Sequence, residues 1–291
     1  MFDKLLFPTD GSDGAAAVFD HVLALADAHD ATVHVVNVAD TTRESITTVR
    51  GRVVDALEQA GAETVQQAAT RASERGVPTV TEVLQGEPYR TIVDYADTYD
   101  IDLVVMPTHG RRGLERFLLG STTERVVRRA EVPVLTIRPD DDVTVRYPYR
   151  TVLVPTDGSD PAAAALDVGI DVATVAAAAV HLLSVVDVTS LGVDVRADIQ
   201  AAALEEGAHD VVDAAAERAN AAGIDSTTAV EFGGSVPAVV RSYITDNDVD
   251  LVVVGTHGRT GFDRYVLGSV AEALVRTAPV PVLTVRGPTD S

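Results

Sequence analysis

The residues with the clearest chemical potential fall into two short segments, and each segment occurs twice. One is Pro8-Thr9-Asp10-Gly11-Ser12, which returns as Pro155-Thr156-Asp157-Gly158-Ser159. Such a carboxylate can accept a hydrogen bond from a ligand hydroxyl or amine, and the glycine permits a tight turn. Asp and Ser ahead of a helix are also ordinary N-caps. Capping accounts for Ser12 and Ser159. It accounts less well for Asp10, which precedes the cap by two residues and would emerge into the crevice at a strand end.

The other segment is Gly255-Thr256-His257-Gly258-Arg259-Thr260-Gly261, followed by Gly268-Ser269-Val270 at the start of a helix. Its earlier copy contains Thr108-His109-Gly110-Arg111 and then Gly120-Ser121-Thr122. Glycines let a backbone approach a ligand closely, and free N–H groups at a helix start attract anions. Ser269 adds a hydroxyl donor. Met106–Arg129 carries six arginines and two glutamates, a net of +4 in a chain of net charge −21. A glycine-rich turn whose arginines pair with surface aspartates is the competing reading. His109 and His257 fit a loop-fixing hydrogen bond better than a general base.

Composition excludes several chemistries. There are no cysteines, which removes disulfide scaffolds, iron–sulfur clusters, thiolate zinc sites and cysteine nucleophiles. Lys4 is the only lysine and does not follow a glycine-rich loop, so a P-loop is absent. No Gly-x-Ser-x-Gly elbow occurs; Ser235 in GGSVP falls short of it. His21, His29, His34, His181 and His209 show no metal-ligand spacing. Forty-four acidic against 23 basic residues disfavour nucleic acid and anionic membranes. Many Asp, Ala, Val and Thr with almost no Lys resemble adaptation to molar salt, where the Debye length falls to about 3 Å. A merely acidic cytosolic protein is the other reading. No signal peptide or membrane span is expected, and the cytoplasm is the expected compartment.

These segments need elements to position them, and the chain supplies the same set twice. DLVVMPTHGRRGLERFLLGS at Asp102–Ser121 returns as DLVVVGTHGRTGFDRYVLGS at Asp250–Ser269, and VPVLTIR at Val132–Arg138 as VPVLTVR at Val280–Arg286. The offset is 147 at the start and 148 later, which places one extra residue between the first helix and the third strand of the second copy. The repeats are read as 1–139 and 150–287, with a linker at 140–149. In the first copy, strands are expected at Lys4–Pro8, Thr32–Val38, Thr79–Leu84, Asp102–Met106 and Pro133–Arg138. Helices are expected at Asp13–His29, Ser45–Arg75, Pro88–Tyr99 and Ser121–Ala130. Strands alternating with helices imply right-handed crossovers and a parallel sheet covered on both faces. Both chemical segments then lie at the carboxyl ends of strands, where open α/β sheets bind ligands.

Gly255-x2-Gly258-x9-Gly268-Ser269, the PTDGS strand end and the terminal PVLTVR strand together resemble the universal stress protein family, over essentially the whole chain as two tandem copies. The resemblance implies an α/β, Rossmann-like fold with five parallel strands in the order 3-2-1-4-5, holding ATP, accompanied by Mg2+, between strands one and four. It is also similar to electron-transfer flavoprotein and ATP-pyrophosphatase folds, but an SGGxDS-type loop is missing after strand one. By matching position, Pro8, Thr9 and Asp10, with Pro155, Thr156 and Asp157, would meet the adenosine end. Val38 and Val185 would line the adenine pocket. Thr108, His109, Gly110, Arg111, Gly120, Ser121 and Thr122 would hold ribose and phosphates. So would Gly255, Thr256, His257, Gly258, Arg259, Gly268, Ser269 and Val270 in the second copy.

The first copy departs from the family pattern at Pro107, where Gly255 stands in the second. Proline offers no N–H and fixes φ, so the first site is expected to be the weaker. The expected function is an ATP-binding regulatory module with little or no turnover. A non-nucleotide interaction module and a weak ATPase are its rivals. The near-identical fifth strands are sheet edges, expected to pair antiparallel as a pseudo-dimer within one chain, with a homodimer beyond that as a further possibility.

Overall fold

A computed structural model describes residues 1–41, 50–109, 119–140, 142–188, 195–257 and 267–287. The chain divides into two compact units, Met1–Asp141 and Asp142–Ser291.

In the first unit, β1 (Lys4–Pro8), β2 (Thr32–Asp40), β3 (Thr79–Gly86), β4 (Leu103–Pro107) and β5 (Val134–Ile137) alternate with α1 (Asp13–His29), α2 (Arg50–Glu74), α3 (Pro88–Thr98) and α4 (Ser121–Arg129). The strands lie in the order β3-β2-β1-β4-β5 and every pairing is parallel. The second unit repeats this with β6 (Thr151–Pro155), α5 (Asp160–Ala176), β7 (Ala179–Asp187), α6 (Val195–Ala221), β8 (Ser226–Gly233), α7 (Val236–Asp246), β9 (Leu251–Gly255), α8 (Ser269–Thr277) and β10 (Val282–Val285). Its order is β8-β7-β6-β9-β10, again all parallel. The expected fold class and strand order are therefore observed.

The central strands are apolar runs buried throughout, LVVMP in β4 and LVVVG in β9, as strands covered on both faces require. In each unit the sheet reverses direction of growth at β1/β4 or β6/β9. Those pairs are in register only at their amino ends, Leu5 and Leu6 with Leu103 and Val104, and Val152 and Leu153 with Leu251 and Val252. No pairing is described beyond these, and the strand order predicts a ligand crevice at the carboxyl ends.

Several bounds shift: β3 runs to Gly86 rather than Leu84, β5 spans Val134–Ile137 rather than Pro133–Arg138, β4 ends at Pro107 rather than Met106, and α2, α3 and α4 each end one residue early. β2 runs to Asp40 rather than Val38, because β3 pairs with it as far as Asp40↔Gly86. β4 begins at Leu103 rather than Asp102, whose carboxylate accepts from the N–H groups of Asp3 and Lys4 at 2.8 and 2.9 Å while its own N–H donates to Lys4 O at 3.0 Å. The extra residue lies later than expected. β3 and β8 keep the offset of 147, whereas α3 and α7 stand at 148, so the insertion falls in the β8–α7 connection. A surface turn absorbs a residue that a strand register cannot. The start expected at Ser45 for the second helix lies outside the described residues; α2 is described from Arg50.

Residues 142–149 belong structurally to the second unit. Thr144 N–H donates to Pro279 O at 2.8 Å, Arg146 pairs with Asp250 at 3.2 Å, and Tyr149 is buried.

Candidate functional site

Each site is built on a strand that stops abruptly. β1 ends at Pro8, and Thr9 N–H still donates to Val36 O at 2.9 Å; in the second unit Thr156 N–H donates to Leu183 O at 2.8 Å. Gly11 and Gly158 then take φ of 72° and 76°, values that a side chain resists, and the chain reverses into α1 or α5. Ser12 and Ser159 cap those helices, accepting from Ala15 and Ala162 N–H at 3.2 and 3.4 Å. Asp10 and Asp157 accept from the N–H of Ser12 and Ser159, both at 3.0 Å. Asp157 also accepts from the Ser159 hydroxyl at 2.6 Å. The aspartates thus stiffen the turn through one oxygen. Asp10 is exposed and Asp157 half-buried, at the mouth of the crevice.

Thr9 and Thr156 are nearly buried, and their hydroxyls accept from Gly11 and Gly158 N–H at 3.2 and 3.3 Å. In the first unit Asn37 adds a clamp, donating through Nδ2 to Thr9 O at 2.8 Å. The sequence reading missed Asn37, and its counterpart Ser184 has too short a side chain to signal the role. Val38 and Val185 stand two residues further along β2 and β7. They lie past the point where Pro8 pairs with Val36 and Pro155 with Leu183, and are half-exposed at the crevice.

Across the crevice, β4 and β9 are followed by Thr108 and Thr256, whose N–H groups donate to Ile137 O and Val285 O, each at 2.9 Å. Gly120 and Gly268 close back on these threonines, N–H to O at 2.7 Å in both units. A Cβ on Gly120 would meet Thr108 O at 3.1 Å, and on Gly268 would meet Thr256 O at 3.2 Å. Close backbone approach is one reason for glycine here. The threonine hydroxyls meet Nδ1 of His109 and His257 at 3.2 and 3.0 Å. Both histidines therefore fix the loop start to the strand end. His109 Nε2 also faces Asp140 Oδ1 at 3.9 Å.

Ser121 and Ser269 open α4 and α8 and are exposed, with Thr122 and Val270 beside them half-buried. Neither helix has a side-chain cap at Gly120 or Gly268. Among the described residues no side chain caps these first-turn N–H groups, and with the helix dipole such an end is receptive to an anion. Gly110, Arg111, Gly258 and Arg259 lie outside the described residues.

Two histidines of strand two take a different role. His34 Nδ1 meets Tyr95 Oη at 3.0 Å and His181 Nδ1 meets Tyr243 Oη at 3.0 Å, linking β2 to α3 and β7 to α7. Burial lowers both histidine pKa values, with Lys4 adding to the effect at His34. Tyr95 donates onward to Glu82 at 3.2 Å, and burial with the Glu82 charge raises its pKa. These contacts stand on the helix-packed face, away from the strand ends.

The model of the universal stress protein family matches residues 1–138 and again 148–286. A universal stress protein of Mycobacterium tuberculosis is 35% identical over 228 residues, covering 74% of this chain and 71% of its own. One from Methanocaldococcus jannaschii is 36% identical over 141 residues, covering 47% of this chain and 83% of its own. The solved structure of a universal stress protein from Archaeoglobus fulgidus has the same fold, with a TM-score of 0.75 at 22% identity over 97% of this chain and 98% of its own. Two strand-end turns, two closed glycine returns and a family match across both units lead to one assignment: the chain belongs to the universal stress protein family.

Proposed function

We propose that each unit binds an adenine nucleotide, ATP with its accompanying Mg2+, in the crevice between the first and fourth strands, and that binding serves regulation rather than turnover. The observation that carries this reading is a contrast between helix starts. α1 and α5 are closed by their own serines, whereas α4 and α8 begin on glycine with no side-chain cap at the same sheet edge. A phosphate fits the second kind of end, because its oxygens accept from first-turn N–H groups that no described side chain caps. Asp10 and Asp157 supply carboxylate acceptors across the crevice, suited to ribose or adenine donors. The nucleotide would bridge the turn after the first strand to the start of the fourth helix, favouring the closed arrangement of both.

Little turnover is part of the proposal. His109 and His257 have Nδ1 engaged by the adjacent threonine, which suits positioning more than proton transfer. A homodimer and a place in the cytoplasm of a salt-adapted cell belong to the same proposal.

Denaturing the protein purified in high salt and identifying released nucleotide by mass spectrometry tests the reading. ATP at one or two equivalents per chain supports it. A protein that is empty and also fails to bind added Mg-ATP refutes it.

A further inference from the structure

The α3–α4 face of the first unit carries charges that its scaffold does not require. The packing beneath is the same in both units: Ile92, Tyr95 and Val126 are buried under α3 and α4, and Val240, Tyr243 and Leu274 are buried at the matching places on α7 and α8. The outward residues differ. Arg90, Arg125 and Arg129 are exposed in the first unit, where the second has Ala238, Ala273 and Thr277. Asp94, Asp97 and Glu131 are exposed too, and their counterparts are Ser242, Thr245 and Pro279. The second unit forms the same helices on the same sheet with none of these charges.

The charges are sorted by sign along the face. At the start of α3, Tyr89 has the guanidinium carbons of Arg125 and Arg129 at 5.0 and 5.1 Å from its ring centroid, so both α4 arginines gather at the end where Arg90 stands. Glu87 accepts from Arg125 at 3.0 Å and fixes it further. At the other end of α3 the acids gather. Burial, followed by the charges of Glu131 and Asp94, raises the Asp97 pKa. Arg90, Asp94 and Asp97 succeed one another at i, i+4 and i+7 and share one stripe. Their order opposes the α3 dipole, since the first turn holds Arg90 and no acid while the last holds Asp97 and no base. Neither packing nor helix stability accounts for this arrangement.

A face with one basic and one acidic end repels half of any partner of a single sign, but it complements itself. A two-fold axis across the middle of α3, near the half-buried Val93, lays the basic end of one chain on the acidic end of the other, twice over. Only the first unit carries the face, so association closes at two chains. At about 1 M salt the Debye length of about 3 Å suppresses long-range repulsion between chains of net charge −21, while pairs buried in a contact are screened much less. We propose that the α3–α4 face of the first unit, with Arg90, Arg125 and Arg129 at one end and Asp94, Asp97 and Glu131 at the other, docks a second copy of this chain in a closed, antiparallel dimer. This rests on the homodimer in the reading above and is independent of nucleotide binding.

Sedimentation velocity of the full chain, over a range of protein concentrations in about 1 M KCl, tests this, with thermal melting used to confirm folding. The wild type should show a monomer–dimer equilibrium with no larger species. Arg90→Glu, Arg125→Glu and Arg129→Glu together should raise the dimer dissociation constant about tenfold or more. Asp94→Arg with Asp97→Arg should do the same, even though it lowers the net negative charge. An equimolar mixture of these two variants should recover the wild-type dimer, because each supplies the ends that the other has lost. A third variant takes residues that the second unit already carries, Arg90→Ala, Arg125→Ala, Asp94→Ser and Asp97→Thr, and should melt like the wild type while dimerising more weakly. A wild-type dimer that the third variant leaves intact, or no recovery on mixing two folded variants, would overturn this face while leaving a homodimer built elsewhere. A wild type that stays monomeric at every concentration would overturn the face and the homodimer together, with the nucleotide reading untouched.

Discussion

The carboxylate of Asp250 accepts from the backbone N–H of Arg150 at 2.7 Å and from that of Thr151 at 3.2 Å, joining the start of β9 to the start of β6. Asp102 does the same for Asp3 and Lys4 in the first unit. Asp250 is only 2% exposed, and Arg146 covers its other oxygen. Asp250→Ala strands two N–H groups and a guanidinium, so we expect a loss of about 2 kcal/mol or more in the second unit. Urea unfolding checks it, and an unchanged midpoint would show that the carboxylate is dispensable.

His21 makes the first unit sensitive to acid. It is buried on α1, and burial pushes its pKa from 6.5 down to about 4. The unfolded chain therefore takes up a proton first as pH falls through 6.5. Stability declines from there until the pH reaches about 4, then levels off, a total of about 3 kcal/mol. The matching residue of the second unit is Val168. His21→Val should flatten this part of the stability profile relative to wild type while leaving the slope from carboxylates; two parallel profiles would refute the assignment.

The C-cap of α5 stores strain that a single change can remove. Ala177 adopts φ 51°, ψ 42°, a left-handed conformation, with its N–H bonded to Ala173 O and Thr174 O. The corresponding Asp30, at φ 52°, belongs to a type that tolerates this region better. Ala177→Gly should stabilise the second unit by about 1 kcal/mol, measured by denaturant unfolding. A destabilised variant would mean that the extra freedom of the unfolded chain outweighs the relief.

Charge predicts a dependence on salt. At a net charge of −21, self-repulsion weakens as the Debye length shrinks from about 10 Å at about 0.1 M salt to about 3 Å at about 1 M. The melting temperature should rise across that interval with KCl. A flat or falling curve would argue for an acidic protein without salt adaptation.

Much of the architecture was legible because its signals are local. Apolar runs set β1 and β4 within a residue, Ser12 and Ser159 marked the helix starts, and a repeat of near-identical segments doubled every inference. The same locality placed Asp10, Gly120 and Ser121 at strand ends and helix starts. The sequence by itself therefore determined the fold, its duplication and the edge of the sheet where a ligand would sit.

Tertiary structure decided which residues meet across long stretches of chain. The sequence assigns Gly255 to ligand approach; only the fold reveals the backbone carbonyl oxygen of Pro161 standing 2.6 Å from where its Cβ would be. Asp250 reads as an ordinary acid before a strand until Arg150 and Thr151 are brought to it. His34 finds Tyr95 only when α3 packs on β2. The extra residue of the second copy settles after β8 because sheet register resists insertion and a surface turn does not. Periodicity and capping act over a few residues and leave a trace in composition. Steric fit and buried hydrogen bonds act between segments about a hundred residues apart, so they exist only once the chain has folded.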